Sequence, residues 1–207
     1  MDGTIMGSAS DMSVDRLLEP DEAARLKERY GDFHEHHERL HVGSKLINRF
    51  SRRKLAKRRG EIVLLLQRDD GCLLLHTKHK YPAGAYRLPT GGIVWGESIV
   101  DAFNRESYEE TGWHLDNARL VGLVTYELIG GGSVVPYASW LFHAEGVIGE
   151  PQPVDLDEGI SEFKWLQQSW MSGVAESLRN LPHQRSDTAD WGRFRAVAHD
   201  VVAEMEL

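Results

Sequence analysis

The sequence predicts an α/β fold, in which helices cover both sides of a central mixed β-sheet and an N-terminal helical extension precedes the domain. Apolar runs of strand length occur between residues 61 and 166, and segments with helical spacing lie among and after them. The strands do not alternate strictly with helices, which favours a mixed sheet over a parallel one. We therefore assign residues 1–60 to the extension and 61–207, including the C-terminal helices, to the domain.

The extension is predicted to be helical because helix-forming residues dominate it. The stretch 21–40, DEAARLKERYGDFHEHHERL, favours one or two helices with a break at Gly31. The basic run RRKLAKRR at 52–59 is interpreted as the solvated face of a helix before the first strand, since the chain as a whole is acidic. The extension could provide a homodimer contact or a lid over the substrate, and the sequence leaves both open.

The first half of the domain begins with two apolar runs that predict strands. EIVLLLQRD at 61–69 and CLLLHTK at 72–78 are joined by Asp70-Gly71, a typical hairpin signal. The Gly- and Pro-rich connector YPAGAYRLPTGG follows at 81–92. The spacing in SIVDAFNRESYEETG then predicts a helix over 98–112.

The second half of the domain is predicted to contain three strands followed by two helices. ARLVGLVTYELI (118–129) and VVPYASWLFHAEG (134–146) are two long strands around a glycine turn. EFKWL at 162–166 is the last strand. The segments 167–181 and 191–205 are amphipathic and predict the C-terminal helices.

Composition excludes several classes of function. The formal net charge is -8, so the chain as a whole repels nucleic acid phosphates, and binding to them is not expected to be its main activity. A single cysteine, Cys72, rules out a disulfide within the chain. No apolar run is long enough to span a bilayer, and the N-terminal residues lack the features of a secretory signal. We expect a cytoplasmic protein that binds neither nucleic acid nor membrane.

The helix at 98–112 carries an unusual concentration of negative charge. Glu106, Glu109 and Glu110 stand at positions i, i+3 and i+4, where like charges are neighbours and destabilise a helix. Arg105 is the only basic residue in RESYEETG. Another positive group is therefore expected to neutralise this cluster.

The acidic helix and the glycine loop before it carry a family signature. Gly91, Glu97, Arg105-Glu106, Glu109-Glu110 and Gly112 follow the spacing G-x5-E-x7-R-E-U-x-E-E-x-G-U. This pattern resembles the signature box of the Nudix hydrolases. Tyr86-Arg87-Leu88-Pro89 and the EFKW segment occupy the positions of the family's lead-in and last core strand, so that the resemblance covers roughly residues 61–180.

The resemblance implies a Nudix-type α/β/α sandwich and a hydrolase that cleaves the diphosphate linkage of a nucleoside diphosphate joined to another moiety. It also implies Mg²⁺ or Mn²⁺ as the cofactor, since hard cations prefer oxygen ligands and often bridge carboxylates to phosphates. The metal ligands would be Glu106, Glu109, Glu110 and the carbonyl of Gly91. Such ions would also relieve the repulsion on the helix.

The remaining site residues are assigned around these ligands. Glu97 and Arg105 would orient the helix and its carboxylates. Glu158, just before the last strand, is the candidate general base. Arg87 and Lys80 lie near the box in the sequence and are predicted to bind substrate phosphates. Aromatic residues do not identify the leaving group, so the particular diphosphate substrate is left open.

Three positions depart from the family pattern. Ser107 replaces an aliphatic residue, Thr90 replaces a glycine that often precedes the box, and Val94 stands where many members have an acidic residue. The last difference removes one potential metal contact.

Two alternatives to the hydrolase remain at this stage. A protein with the same fold could bind nucleotides as a sensor without catalysis, although a pure binding protein need not keep the full set of carboxylates. HERLH at 37–41 matches the zinc protease motif H-E-x-x-H, with Glu38 as base, but this local region is rich in His and Glu and a polar helix surface explains it better.

Overall fold

The computed structural model describes residues 17, 21–51, 57–181 and 187–207. The strands in these ranges are β1 (His34–His41), β2 (Arg58–Leu66), β3 (Cys72–Lys78), β4 (Thr90–Val94), β5 (Arg119–Gly130), β6 (Ser133–Ala144) and β7 (Ile160–Gln167). The central sheet is mixed and contains five of these seven described strands, in the order β1-β5-β6-β2-β4. Its β1–β5 and β2–β6 pairs are parallel, whereas β5–β6 and β2–β4 are antiparallel. The remaining two, β3 and β7, form a separate antiparallel ribbon.

Helices cover both faces of the sheet. They are α1 (Glu22–Tyr30), α2 (Ser44–Arg49), α3 (Ile99–Thr111), α4 (Met171–Arg179) and α5 (Thr188–Glu204). In the part of the chain that the structure describes, no helix has the length and apolar character needed to cross a membrane.

Alternation along β2 creates two hydrophobic cores, because successive strand residues point to opposite faces. Val63 and Leu65 pack into a core that includes Phe50 after α2 and Phe194 of α5. The neighbouring residues Ile62, Leu64 and Leu66 belong to the other core, together with residues of α1 and α3. This arrangement confirms the predicted α/β/α sandwich around a mixed sheet.

The N-terminal extension contains helices, as predicted, but it also contributes a strand to the central sheet. Residues 34–41 form β1 rather than a second helix. Every residue of β1 pairs in parallel register with β5, from His34 opposite Gly122 to His41 opposite Ile129. Backbone pairing with a distant strand has overridden the local preference for a helix.

The basic run 52–59 is only partly described. Residues 52–56 lie outside the described residues, while Arg58 and Arg59 belong to β2. The predicted helix is therefore wrong for both residues, and the predicted solvation is wrong for Arg59, which is 1% exposed, whereas Arg58 is exposed.

The strand at 34–41 also makes the zinc protease interpretation wrong. In H-E-x-x-H the two histidines bind one ion because a helix places residues i and i+4 on one face, one turn apart. On an extended strand, His37 and His41 are separated by about 13 Å along the chain axis. His37 instead contacts the Thr125 hydroxyl through Nδ1, at 2.9 Å.

The turn predicted at Asp70-Gly71 is present, but the two strands beside it separate. Gly71 has a φ of 78°, and the Asp70 carboxylate accepts a hydrogen bond from the Cys72 amide at 3.0 Å. Beyond a single bridge between Gln67 and Leu73, β2 joins the central sheet and β3 joins β7. The connection therefore links two sheets instead of closing an extended hairpin.

Helix α3 begins and ends at the predicted residues. The Ser98 hydroxyl caps the first turn by accepting a hydrogen bond from the Asp101 amide at 3.0 Å. Gly112 adopts a left-handed φ of 77° and donates its amide to the Tyr108 carbonyl at 2.8 Å. These two caps fix the ends of the helix that carries the acidic face.

Helix α5 supports the connector before β4 through His199. The His199 Nε2 accepts a hydrogen bond from the Leu88 amide at 3.0 Å, so Nδ1 carries the proton that is donated to the Arg195 carbonyl at 2.8 Å. The ring is therefore neutral. Burial lowers its pKa to about 3, and the positive charges of Arg87 and Arg195 act in the same direction.

The low pKa of His199 predicts acid sensitivity of the fold. Below pH 6.5 the His199 side chain is protonated in the unfolded chain, whereas in the folded protein it stays neutral until about pH 3. The free energy of unfolding should therefore fall with decreasing pH across this window, by up to about 1.4 kcal/mol per pH unit. Urea unfolding at several pH values should show a smaller slope for His199→Gln. The exposed control His34→Gln should keep the wild-type slope, and equal slopes in all three proteins would contradict the prediction.

Candidate active site

The acidic face of α3 packs directly against the glycines of β4. A side chain at Gly91 would place its Cβ only 1.9 Å from Cδ of Glu106, so only glycine permits this approach. Glu106 is 3% exposed and Glu110 is fully buried, whereas the Glu109 side chain is 32% exposed. Of the predicted metal ligands on α3, Glu106 lies directly against Gly91, while Glu110 faces β3 through Lys78.

Arg105 connects the glycine loop to the acidic helix. Its Nε and Nη2 atoms donate to the two carboxylate oxygens of Glu97, at 2.8 and 3.0 Å, and Nη2 also donates to the Gly92 carbonyl at 2.9 Å. Its Nη1 donates to Glu106 at 2.7 Å and to Glu109 at 3.1 Å. This network has the geometry required for the positioning role predicted for Glu97 and Arg105.

Lys78 at the end of β3 joins the helix to the turn that carries Glu158. The Lys78 ammonium contacts Glu110 at 2.7 Å and also pairs with Glu158. Glu158 belongs to a short 3₁₀ turn, Leu156–Glu158, directly before β7. The structure therefore brings the candidate base to the same cluster as the candidate metal ligands.

Burial dominates the electrostatics of the two inner carboxylates. It raises the pKa of Glu110 to about 7, although Lys78 and Arg87 act in the opposite direction. Burial also raises the pKa of Glu106, against the effect of Arg105. Five carboxylates of the cluster share two cations, Arg105 and Lys78, which leaves a formal excess of three negative charges.

The donor set fits a hard divalent cation, although its side chains are engaged with Arg105 and Lys78. Within the described ranges, no group of three His, Cys, Asp or Glu converges as metal ligands do. The oxygen Oε2 of Glu110 is nevertheless buried without a hydrogen-bond partner among the described residues. The His76 Nδ1 atom lies 3.8 Å from it, but burial holds the pKa of this imidazole well below its usual value, so the ring is neutral. Buried carboxylate oxygens with excess negative charge are the ligands that Mg²⁺ or Mn²⁺ would require.

A cavity of about 190 Å³ opens beside the cluster. Glu106, Glu158 and the Gly91 backbone line one part of it. Six cationic side chains also line it, beside Glu61 and several apolar and aromatic residues, and they come from α2, β2, the end of β3 with the loop after it, and α5: Arg49, Arg58, Lys78, Lys80, Arg87 and Arg195. The cavity can therefore accommodate both a cation and a polyanionic ligand.

The two predicted substrate-binding residues differ in their surroundings. Lys80 is exposed and lines the cavity. Arg87 is 3% exposed and uses most of its donors internally, at the Tyr81 hydroxyl, the Leu88 carbonyl and the Thr90 hydroxyl. Arg87 also lines the cavity, but these contacts hold the connector before β4.

Sequence reasoning did not assign several residues that the structure brings to this site. Arg195 of α5 forms a buried ion pair with Glu61 of β2, at 2.7 Å. Arg58 and Arg49 belong to segments that precede the first predicted domain strand. The basic run at 52–59 was the one signal available for Arg58.

Comparison with known proteins agrees with this geometry. The sequence model of the NUDIX domain family matches residues 56–190 of this chain. An oxidized purine nucleoside triphosphate hydrolase of Danio rerio is 27% identical over 148 residues, which cover 70% of this chain and 92% of that protein. A NAD-capped RNA hydrolase, NudC of Pseudomonas aeruginosa, is 29% identical over 126 residues, 60% of this chain and 39% of its own length.

Among solved structures, a MutT protein from Bacillus halodurans has a TM-score of 0.47 and 23% identity, and the match covers 70% of this chain and 82% of that one. The family match extends over more than half of the chain and includes the glycine loop, α3 and the turn that carries Glu158. The chain therefore belongs to the Nudix family and is a Nudix-type pyrophosphohydrolase.

Proposed function

We propose that this protein uses Mg²⁺ or Mn²⁺ to hydrolyse the diphosphate linkage of a small nucleoside diphosphate derivative. The observation that carries the proposal is the cavity in which buried carboxylates face cationic side chains. The acidic part suits a divalent cation, and the basic part suits phosphate oxygens.

The proposed ligands of the cation are Glu106, Glu109, Glu110 and the Gly91 carbonyl. A bound divalent cation polarises a phosphoryl oxygen and lowers the pKa of a water molecule. Arg105 holds Glu106 and Glu109 in place through its hydrogen bonds, and Glu97 holds Arg105 in turn. Lys80 and Arg87 are the proposed contacts for substrate phosphates.

Glu158 is the proposed general base. Burial alone would raise its pKa, but the hydrogen bond and charge of Lys78 outweigh this effect and hold the pKa below the usual range. The carboxylate is therefore ionised at neutral pH, while its pairing with Lys78 makes it a weaker base than an unpaired carboxylate would be. Its contact with Lys78 also fixes its place beside Glu110.

The substrate can be narrowed with a panel chosen from the chemistry of the relatives. An oxidized purine nucleoside triphosphate, an unmodified triphosphate, NAD and a NAD-capped RNA oligonucleotide should be incubated with Mg²⁺ or Mn²⁺. We expect metal-dependent release of pyrophosphate or of a nucleoside monophosphate from at least one of them, and chelation with EDTA should abolish it.

A non-catalytic nucleotide sensor is the alternative function. The engagement of the carboxylates by Arg105 and Lys78 is the observation that favours it. A sensor would bind a member of the panel tightly, as measured by calorimetry, and would release no product at any metal concentration. That combination would overturn the proposed hydrolysis.

A further inference from the structure

The cationic side chains around the cavity fall into two groups. Lys78 pairs with Glu110, and Arg195 pairs with Glu61. Arg87 is held by Tyr81 and by backbone and hydroxyl oxygens, as described above. The hydrogen-bond donors of these three side chains are therefore largely occupied by the protein itself, although the partners of Arg87 are neutral oxygens and leave its charge without a paired carboxylate. Arg49 has an acidic neighbour at 3.6 Å, Asp187.

Arg58 and Lys80 form the second group. Among the residues that the structure describes, neither has a carboxylate within the 4.0 Å of a salt bridge. Both line the cavity that contains Glu106 and Glu158. Glu158 is already paired with Lys78, so Arg58 and Lys80 act on its charge only from beyond salt-bridge distance and, among the described residues, keep donors available for an anion.

The Arg58 side chain lies against Gly92 of β4, where the absence of a side chain leaves room for it. A Cβ at Gly92 would lie 2.3 Å from Cδ of Arg58 and 2.5 Å from its Nε and Nη1. The Arg58 side chain therefore crosses the space that any other residue at position 92 would fill. A register shift between Arg58 and Gly60 accompanies this arrangement at the start of β2.

Gly91 and Gly92 each leave space for a charged side chain, and the two side chains have opposite charges. The missing side chain of Gly91 makes room for the Glu106 carboxylate, and that of Gly92 makes room for the Arg58 guanidinium. Adjacent residues of a strand point to opposite faces. Arg58 thus reaches the cavity from the face of β4 opposite to the acidic helix.

We propose that Arg58 and Lys80 form an anion subsite that binds a phosphate group of the substrate other than the diphosphate held at the carboxylates. This inference rests on the proposed function and extends it. The preferred substrates would carry a further phosphate beyond the scissile linkage. Arg58 precedes residue 61, where the sequence alone placed the start of the domain.

The test measures, by calorimetry in EDTA, the binding of inorganic tripolyphosphate to the metal-free protein, in which no cation can hold the ligand at the carboxylates. The wild-type protein should bind it measurably. Arg58→Ala and Lys80→Ala should each weaken tripolyphosphate binding by about ten- to a hundredfold, the usual effect of one charge-assisted contact. Arg58→Lys should restore part of the loss. Arg39→Ala, which removes an exposed arginine from β1, is the matched control and should bind like wild type.

The same variants should be assayed with NADPH and NADH, which differ by one phosphate. For Arg58→Ala, KM should rise at least tenfold more for the substrate with the additional phosphate, while kcat changes little. Equal effects on both substrates, or unchanged tripolyphosphate binding in both single variants, would overturn the subsite. If no member of the substrate panel is hydrolysed, the proposed function fails, whereas the calorimetry still decides the subsite. Since Lys80 is exposed in a loop, its variant keeps the test valid if Arg58→Ala does not fold.

Discussion

Replacing Glu109 with Gln should lower kcat/KM for diphosphate hydrolysis by about a hundredfold or more. The substitution keeps the size of the side chain and removes the negative charge that we assign to cation binding. Loss of a few kcal/mol of transition-state stabilisation from a weakened metal site corresponds to this factor. Kinetics over a range of Mg²⁺ concentrations should also show that the variant needs more metal for half-maximal activity.

Two features of the structure make Glu109→Gln a clean test. The Glu109 side chain is partly exposed, and among the described residues it forms an ion pair with Arg105, which keeps two other carboxylate partners. The variant should therefore fold, as circular dichroism and thermal unfolding can verify. Glu176→Gln on α4 makes the same chemical change at an exposed position away from the cavity and should retain full activity. Wild-type activity and metal dependence in Glu109→Gln would refute the metal assignment.

The acidic helix was predictable because all of its determinants are local. Ser98 and Gly112 cap it, and the spacing of its glutamates places them on one face. Gly91 could be assigned from the family spacing, and its close contact with Glu106 explains physically why glycine stands there. The contact between Lys78 and Glu110 was not predictable in this way. The two residues are 32 positions apart in the sequence, and their contact depends on how β3 packs beside α3.

The errors in the fold have a common physical cause. Strand β1 and the separation of β2 from β3 both depend on backbone pairing with distant strands, β5 in the first case and β7 in the second. Such pairings leave little trace in local propensity, which favours a helix at 34–41 and a hairpin around Asp70-Gly71. The strands β5 and β6 were predicted because a short glycine turn connects them directly.

The division of the chain at residue 60 remains a prediction, and three contacts bear on it. Strand β1 pairs with β5 inside the domain sheet. Arg59 donates hydrogen bonds to the Leu17 carbonyl at 3.2 Å and to the Glu97 carbonyl at 2.9 Å. Because Glu97 accepts hydrogen bonds from Arg105, Arg59 connects the N-terminal residues to the glycine loop of the candidate active site.

The anchor of this connection is a buried ion pair between Arg59 and Glu22 of α1. The Arg59 Nη1 and Nη2 atoms contact the two Glu22 oxygens at 2.5 and 2.8 Å, and the side chains are 1% and 8% exposed. Two charges removed from water in this way are costly to separate, because either one alone would remain buried without its counterion. The stability of the pair therefore depends on the presence of both partners.

Replacing Glu22 with Leu should lower the free energy of unfolding by about 3–5 kcal/mol, since it leaves Arg59 buried and uncompensated. The double variant Glu22→Leu/Arg59→Met should recover most of this loss, because two apolar side chains carry no desolvation penalty. Urea denaturation followed by circular dichroism gives both values. Glu28→Leu is the matched control on the exposed face of α1 and should change stability by less than about 0.5 kcal/mol. If Glu22→Leu behaved like Glu28→Leu, α1 would not be anchored by this pair. The double variant should still show reduced activity, because it lacks the hydrogen bond from Arg59 to the Glu97 carbonyl that supports the glycine loop.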